Sequence, residues 1–475
     1  MIENPLLDFE KIVLKYHSIP PKMVKAASYF LLSSTVGRHL TVPDMPGKYP
    51  WPNVFFMTGS EPAITHRSTL HNLVEQVLQE NFGIMNPKEE TLDQTDEDGT
   101  SLQEKFFQHK IESSNVEGIA DHVRTTDFDY YLVLSGEYGY TMAQAMKPGS
   151  YTFGIPSIFA KMYYGESWSQ NLSKRGGKEG FRFIKEGIFF NMFVSMQNLE
   201  LYLTDLLLKQ GFLRRTCLIP IENKELDVSG YKPYLSKDRP RIRKDLSEFA
   251  DRLSVLEKEI VKGQVEREDE GVVSLSDEVI NEVNKYDREN YARSINQAKQ
   301  NEGSESNPWY QYAISRAEYL LKFTVLETVA EGKRVSELKH LDRARDFLGS
   351  VEPAQRRVIT LIGYGSSERK EDFFPTAELP QRQVLEYAIR NYEGFFKFAD
   401  VKAILNTTVG GKVSQLIDLL EAKGYVKEVV PRYTKEEDAK KILPPKVFER
   451  VRPEAGFFPS VYQATAKGRK LVSNE

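Results

Sequence analysis

Residues Asn53–Leu70, NVFFMTGSEPAITHRSTL, hold the densest set of groups able to do chemistry in this chain. An apolar run, Val54–Thr58, leads into Gly59 and Ser60, and His66-Arg67-Ser68-Thr69 then opens a helical pattern. Strand, loop and helix N-terminus in that order make an anion site, because the free amides of the first helical turn and the helix dipole converge on negative charge. For a nucleotide phosphate, Arg67 would supply the cation, Ser68 or Thr69 the hydroxyl for Mg²⁺, and Gly59, Ser60 and His66 the turn around the anion. The spacing is irregular. A regular phosphate loop reads G-x-x-x-x-G-K-S/T, whereas seven residues separate Gly59 from Arg67 here, with no second Gly and no Lys. Arg is a poor copy of that Lys, since its planar fork cannot act as a point charge in a tight loop. The plain alternative is an ordinary Ser/Thr-rich helix start.

Further stretches carry groups that such chemistry would need. Tyr130–Ser135 is an apolar strand followed by Gly136-Glu137. Glu137 stands where a carboxylate would orient an attacking water, while Ser135 or Gly136 occupies the place of the Asp that supports Mg²⁺. An exposed Glu in a turn after a core strand is the alternative. The strand Ile188–Ser195 ends in Met196-Gln197-Asn198, and Gln197 or Asn198 would sense the terminal phosphate. Gly211–Arg215, GFLRR, offers Arg215 as a group acting in trans on a neighbour's nucleotide, or as half of a basic pair at a helix end. Between the second and third strands, Lys174, Arg175 and Lys178 flank two glycines. They suit either a basic hairpin reaching into nucleic acid or a solvated loop.

The elements that must position these groups follow from patterning. Residues 1–45 read as helical, with Pro20-Pro21 starting a second helix over Lys22–Val36. From Trp51 to about Pro220 apolar strands (Val54–Thr58, Tyr130–Leu134, Ile188–Ser195, Thr216–Pro220) alternate with helices beginning near Arg67, Thr141, Ser157 and Asn198. Such alternation predicts an α/β layer with a mostly parallel sheet. Asn86–Thr100 is acidic and apolar-poor, which reads as a solvated loop. Residues 237–350 read as a helical bundle without a sheet, with helices at Arg241–Lys262, Asp277–Gln300, Trp309–Glu331 and Val335–Leu348. A turn-rich linker, 351–379, follows.

The tail, 380–475, reads as three short helices (Gln381–Asn391, Phe398–Leu405, Gly411–Lys423) and a two-stranded wing, the winged helix-turn-helix pattern. Its recognition helix would present Thr407, Lys412, Ser414 and Gln415, and a long wing, Pro431–Pro459, would present Arg432, Lys440 and Lys441 to phosphates and base edges. Winged helices also dock proteins, so both partners stay open.

Composition bounds the rest. At 475 residues, 40% of them hydrophobic and 11% aromatic, the chain is long enough for about three domains with substantial cores. Net charge is −4 overall, but the tail holds 17 basic against 12 acidic residues, an imbalance compatible with nucleic acid. The single cysteine, Cys217, excludes an intramolecular disulfide and a multi-cysteine metal site, and is expected of a reducing, cytoplasmic compartment. The charged N-terminus does not read as a signal peptide, and the apolar runs are too short to cross a bilayer, so no membrane partner is expected.

In their order these stretches resemble a known family. KMVKAASYFLLSSTVGRHL with PNVFFMTGS, SSNVEGIAD (Ser113–Asp121), LVLSGEYG, FFNMFVSMQ, QGFLRR and WYQYAISRAEYLLKFTVLETVAEG are similar to successive elements of divergent P-loop ATPases, related to replicative helicases, of archaeal and phage mobile elements. The resemblance spans Pro21–Leu348, about two-thirds of the chain. LIDLLEAKGYVKEVV and YQATAKGRKLV resemble winged-helix DNA-binding domains. It implies a lead-in (1–45), a RecA/AAA-like P-loop α/β core (46–236), a helical lid (237–350), the linker 351–379 and a C-terminal winged helix (380–475). It also implies ATP and Mg²⁺ as cofactors, DNA as partner, and a homo-oligomeric ring, a hexamer among the options. Two functions remain open at this point. One is a DNA helicase or translocase acting in replication, with degenerate phosphate-loop and acidic-strand motifs. The other is a catalytically inactive, ATPase-derived scaffold that binds DNA through its tail as an initiation or regulatory factor.

Overall fold

The apolar runs of the first half form one parallel sheet, and its strand order decides which turns become neighbours. A computed structural model describes residues 4–42, 49–60, 65–83, 108–112, 115–145, 150, 152, 154–172, 181–197, 199–221, 239–267, 271–300, 308–364, 384–390, 393–404, 416–417, 420–421, 424–431, 434–453 and 458–473. The chain divides into two compact units, Met1–Ser366 and Ser367–Glu475.

In the larger unit the elements run α1 (Pro5–Tyr16), α2 (Pro21–Val36), β1 (Phe55–Gly59), α3 (Arg67–Gly83), α4 (Val116–Thr126), β2 (Tyr130–Ser135), α5 (Gly139–Ala145), α6 (Ile155–Met162), an antiparallel hairpin of β3 (Trp168–Leu172) and β4 (Phe181–Lys185), and β5 (Phe189–Met196). Next come α7 (Leu199–Tyr202), α8 (Asp205–Lys209), β6 (Cys217–Pro220), α9 (Arg239–Arg267), β7 (Ser274–Leu275), α10 (Asp277–Gln300), α11 (Pro308–Ala313), α12 (Arg316–Ala330), β8 (Val335–Ser336) and α13 (Leu338–Tyr364). The α/β class with a parallel four-stranded sheet expected from the sequence is present, in the order β2-β5-β1-β6. Both faces of the sheet are covered, which is why the strands read as continuous apolar runs rather than alternating ones. Phe56, Leu132, Phe193 and Ile219 pack into one core with α1, α2, α3, α9, α12 and α13. Phe55, Met57, Val133, Phe190 and Leu218 face the other way, into a second core with α4 and α6.

Two expectations for the helical region are corrected. It is not free of sheet: β7 pairs with β8 in parallel, Ser274 with Val335 and Leu275 with Ser336. The segment Trp309–Glu331 is not one helix but two, broken by a turn at Ile314-Ser315. The break lets Arg316 turn inward, where its guanidinium donates to Gln355, Leu348 O, Tyr286 Oη and Glu352. Gln355 in turn donates to Leu218 O at 2.6 Å, fastening α13 to β6. The final helix runs to Tyr364, beyond the Leu348 read from the sequence.

Helix α12 threads the unit and carries two buried ions. Glu327 accepts from Tyr29 Oη at 2.7 Å and from Lys25 at 3.0 Å, and pairs with Arg343 at 3.3 Å. Lys322 donates to Asn53 Oδ1 at 2.7 Å, pairs with Glu318 at 3.3 Å and lies 3.6 Å from the centre of the Tyr163 ring. Asn53 immediately precedes the run into β1 and donates to Tyr163 O and Phe190 O, so the lysine holds the foot of the sheet. Such ions pay desolvation and persist because partners satisfy them.

The smaller unit has a helical stretch at 384–390, then β9 (Phe395–Lys397), α14 (Phe398–Ile404), β10 (Val426–Val430), α15 (Glu436–Ile442), α16 (Pro445–Val451), β11 (Val461–Ala464) and α17 (Ala466–Ser473). Its antiparallel sheet has three strands, in the order β10-β11-β9, rather than the two of the expected wing. The stretch 431–459 is likewise not a plain wing, since it contains α15 and α16. Their apolar residues Ala439, Val447 and Phe448, with Leu443 between the two helices, form a separate small core with Val430 and Val461.

Burial lowers the Lys322 pKa to about 8, from an ordinary 10.5. A lysine depressed in the folded state opposes folding below pH 8, and the penalty is relieved as pH rises towards 10.5. Relative to a Lys322→Met variant, the wild type should therefore gain stability between pH 8 and 10.5, by at most about 1.4 kcal/mol per pH unit. Thermal melting of both proteins across that range checks this; a constant difference would mean that Lys322 titrates as an exposed lysine.

Candidate functional site

Because β5 lies between β1 and β2, the turns that follow all three strands meet at one edge of the sheet. In parallel sheets this carboxyl edge, where connections diverge to either side, is where ligands bind. Gly59 ends β1 opposite Met196 of β5 and Pro220 of β6. Ser60 N–H donates to Met196 O at 3.4 Å, and Tyr138 N–H donates to Ser195 O at 2.8 Å, so the loop and the acidic turn are both hung on β5. Gly59, Ser60, His66, Arg67, Ser68, Thr69, Glu137 and Gln197 all belong to this edge. Asn198 lies outside the described residues.

The loop is closed by its own hydroxyls: the Ser60 and Thr65 oxygens are 2.6 Å apart and buried. His66 then takes φ 50°, in the left-handed region. This is the conformation that the second glycine of a phosphate loop supplies freely, and His is one of the few other types to adopt it. The first bond of α3 runs from Leu70 N–H to His66 O, so by helix geometry the amides of Arg67, Ser68 and Thr69 have no acceptor within the helix. Ser68 is exposed. Arg67 is only 8% exposed, and its Nη1 has no hydrogen-bond partner among the described residues. Burial lowers its pKa, while the charges of Glu137 and Tyr202 beside it act in the opposite direction.

Against α3 lies a cleft of about 390 Å³, lined by Ser68, His71, Glu75, Lys110, Gly136 and Glu137 among others. Residues 110 and 132 form a parallel bridge that extends the sheet edge. Lys110 pairs with Glu75 at 3.3 Å and Glu112 at 3.0 Å, whereas Glu137 is exposed. Free amides, an unpartnered guanidinium nitrogen and a left-handed loop residue fit an anionic phosphate. For Mg²⁺, Ser68 and Glu137 line the same cleft, within the one or two protein oxygens this ion usually takes beside phosphates.

Arg215 is placed elsewhere. It precedes β6 at the opposite edge of the sheet, donates to Gly211 O at 2.8 Å and has its guanidinium carbon 4.7 Å from the centre of the Tyr164 ring. It does not reach the loop of its own chain. Lys174, Arg175 and Lys178 lie outside the described residues, as do Thr407, Lys412, Ser414, Gln415 and Arg432. Lys440 and Lys441 are exposed on helix α15, not on a wing strand.

His71 and Tyr202 were not singled out from the sequence. For His71 a signal existed: it stands four residues after Arg67, on the same face of the helix. Tyr202 had none, because only the fold brings its ring onto Gly139 and near Arg67 and Glu137.

Gly59 is required by packing: an added Cβ would lie 2.3 Å from Leu199 Cγ. At Gly136 the nearest atoms would be 3.7 Å away. Gly59→Ala should therefore cost about 1–3 kcal/mol, and Gly136→Ala should be near neutral, as read by denaturant unfolding.

No family model matches this sequence, and no curated protein matches it significantly.

Proposed function

We propose that the larger unit is the ATP-binding core of a RecA/AAA-like, helicase-type P-loop ATPase acting on DNA during replication, and that the smaller unit is a winged helix contacting the DNA. The observation that carries the reading is the convergence of a loop, an acidic turn and a polar strand end on the N-terminus of α3, where the buried Arg67 Nη1 has no hydrogen-bond partner among the described residues.

In this reading the free amides of Arg67, Ser68 and Thr69 bind phosphate oxygens, and Arg67 neutralises their charge. Ser68 would hold Mg²⁺, which when bound neutralises charge on the β- and γ-phosphates. Glu137 orients the attacking water, and Gln197, with Asn198 next to it, contacts the terminal phosphate. Arg215 faces away from its own loop, so its part is in trans, in a homo-oligomeric ring. Lys440 and Lys441 contact DNA phosphates. One observation favours the second reading, a catalytically inactive, ATPase-derived scaffold that binds DNA through its tail. The other carboxylates lining the cleft, Glu75 and Glu112, are ion-paired to Lys110, which leaves Glu137 to act alone.

Arg67→Ala should weaken nucleotide binding by about tenfold or more, and Glu137→Gln should retain binding while lowering turnover by about a hundredfold or more. Equilibrium binding of a fluorescent ATP analogue and ATPase rates with and without DNA check both. Wild-type turnover equal to that of Glu137→Gln would end the motor reading and leave the scaffold. For the tail, replacing Lys440 and Lys441 with Ala should lower the slope of log K against log salt for duplex DNA by about one to two; an unchanged slope would remove α15 from the DNA contact.

A further inference from the structure

A row of polar side chains runs inward from the cleft, in a part of the core that is otherwise apolar. His71 Nε2 is 2.7 Å from Ser195 Oγ, which is 2.5 Å from Thr58 Oγ1. His71 is 4% exposed, and Ser195 and Thr58 are fully buried. The imidazole stacks on Phe193 with ring centres 4.7 Å apart. Its other nitrogen, Nδ1, has no hydrogen-bond partner among the described residues, and neither has Arg67 Nη1 one turn earlier. Both nitrogens belong to side chains four residues apart, one turn along the same face of α3.

A neutral imidazole has one donor and one acceptor nitrogen, so the bond on one side decides the role of the other. If Thr58 donates to Ser195 and Ser195 donates to Nε2, then Nδ1 carries the proton and is a donor without an acceptor. A donor left unpaired in the core is costly, and a bound acceptor would relieve that cost. Burial, reinforced by the nearby charges of Arg67 and Lys110, lowers the His71 pKa to about 3, so at neutral pH the ring offers a directed hydrogen bond without charge. The ring also lines the cleft that Ser68 and Glu137 share.

We propose that His71 is a further nucleotide-contacting residue, whose Nδ1–H donates to a phosphoryl oxygen alongside Arg67. The inference rests on the nucleotide reading above. It assigns to the Thr58–Ser195–His71 row the task of fixing the tautomer, and so of matching the site to an oxygen that only accepts.

Asn and Gln substitutions separate this role from packing, because the Asn amide reaches the position of Nδ1 and the Gln amide that of Nε2. The full-length chain is titrated with a fluorescent, non-hydrolysable ATP analogue and Mg²⁺, with AMP as competitor and a melting curve for each variant. His71→Asn should bind within about threefold of wild type, while His71→Gln and His71→Ala lose about tenfold or more, the loss being larger for the triphosphate than for AMP. Retention by Gln with loss by Asn would overturn the proposal and make His71 a support for Ser195. If the variants melt early, nitrogen NMR of isotope-labelled histidine in the unmutated chain decides. A proton on Nδ1 whose signal moves on adding the analogue supports the contact, and a proton on Nε2 with no response overturns it. A wild type that binds no analogue overturns both this inference and the nucleotide reading. Binding that Arg67→Ala weakens and His71→Ala does not overturns this inference alone.

Discussion

Strand β5 is the constraint on which the larger unit depends. It lies between β1 and β2, with every residue buried, so its backbone must pair on both edges and its side chains must pack on both faces. A strand in that position tolerates polar groups only if each is satisfied. Two stand on the face towards α2 and α3. Asn191 accepts from Val54 N–H at 2.7 Å and donates to Ser34, pinning the start of β1 to α2. Ser195, two pleats on, ties the end of β1 through Thr58 and the helix α3 through His71. These two residues fasten β1, α2 and α3 to the strand at whose end the Gly59 loop and the Glu137 turn meet.

The same strand explains the tightness at that edge. Leu199, four residues beyond Ser195, fills the space above Gly59, and Tyr202 covers Gly139. Arg67, at the start of α3, is nearly buried too, with Glu137 and Tyr202 close enough to act on its charge. At the other end of the sheet, Lys322 and Asn53 hold β1 in place while Arg316 and Gln355 hold β6. Both attachments come from α12 and α13. The helical region therefore supports the sheet it follows, and the core of the larger unit is built from both halves of its sequence.

Much of this was legible in the residues. The four strands lie within a residue of the apolar runs, and α3 opens at Arg67, because buried parallel strands and Ser/Thr-rich helix starts leave strong local signals. Longer-range choices were not legible. FFNMFVSM reads as one apolar run, and nothing local says that its Asn and Ser are pins. The left-handed turn at His66 stands where a glycine was looked for, because a loop two residues longer than the regular one closes on the Ser60–Thr65 pair instead. The pairing of β7 with β8 joins residues some sixty positions apart and two residues long, too short for any periodicity. In the tail, the prolines and charges of helices α15 and α16 resemble a loop in sequence, and so read as wing. Their apolar residues show a helix face only once β10 and β11 are there to receive it.

If the loop, the acidic turn and the end of β5 act as one phosphate site at the N-terminus of α3, a bound nucleotide must affect all three together. Hydrogen–deuterium exchange with and without a non-hydrolysable ATP analogue and Mg²⁺ tests it most directly. Concerted slowing is expected in peptides covering residues 65–71, 135–138 and 195–197, with the foot of the sheet around Asn53 and Lys322 unchanged. Saturating nucleotide that leaves all three segments exchanging as before, or that protects only other parts of the chain, would contradict it.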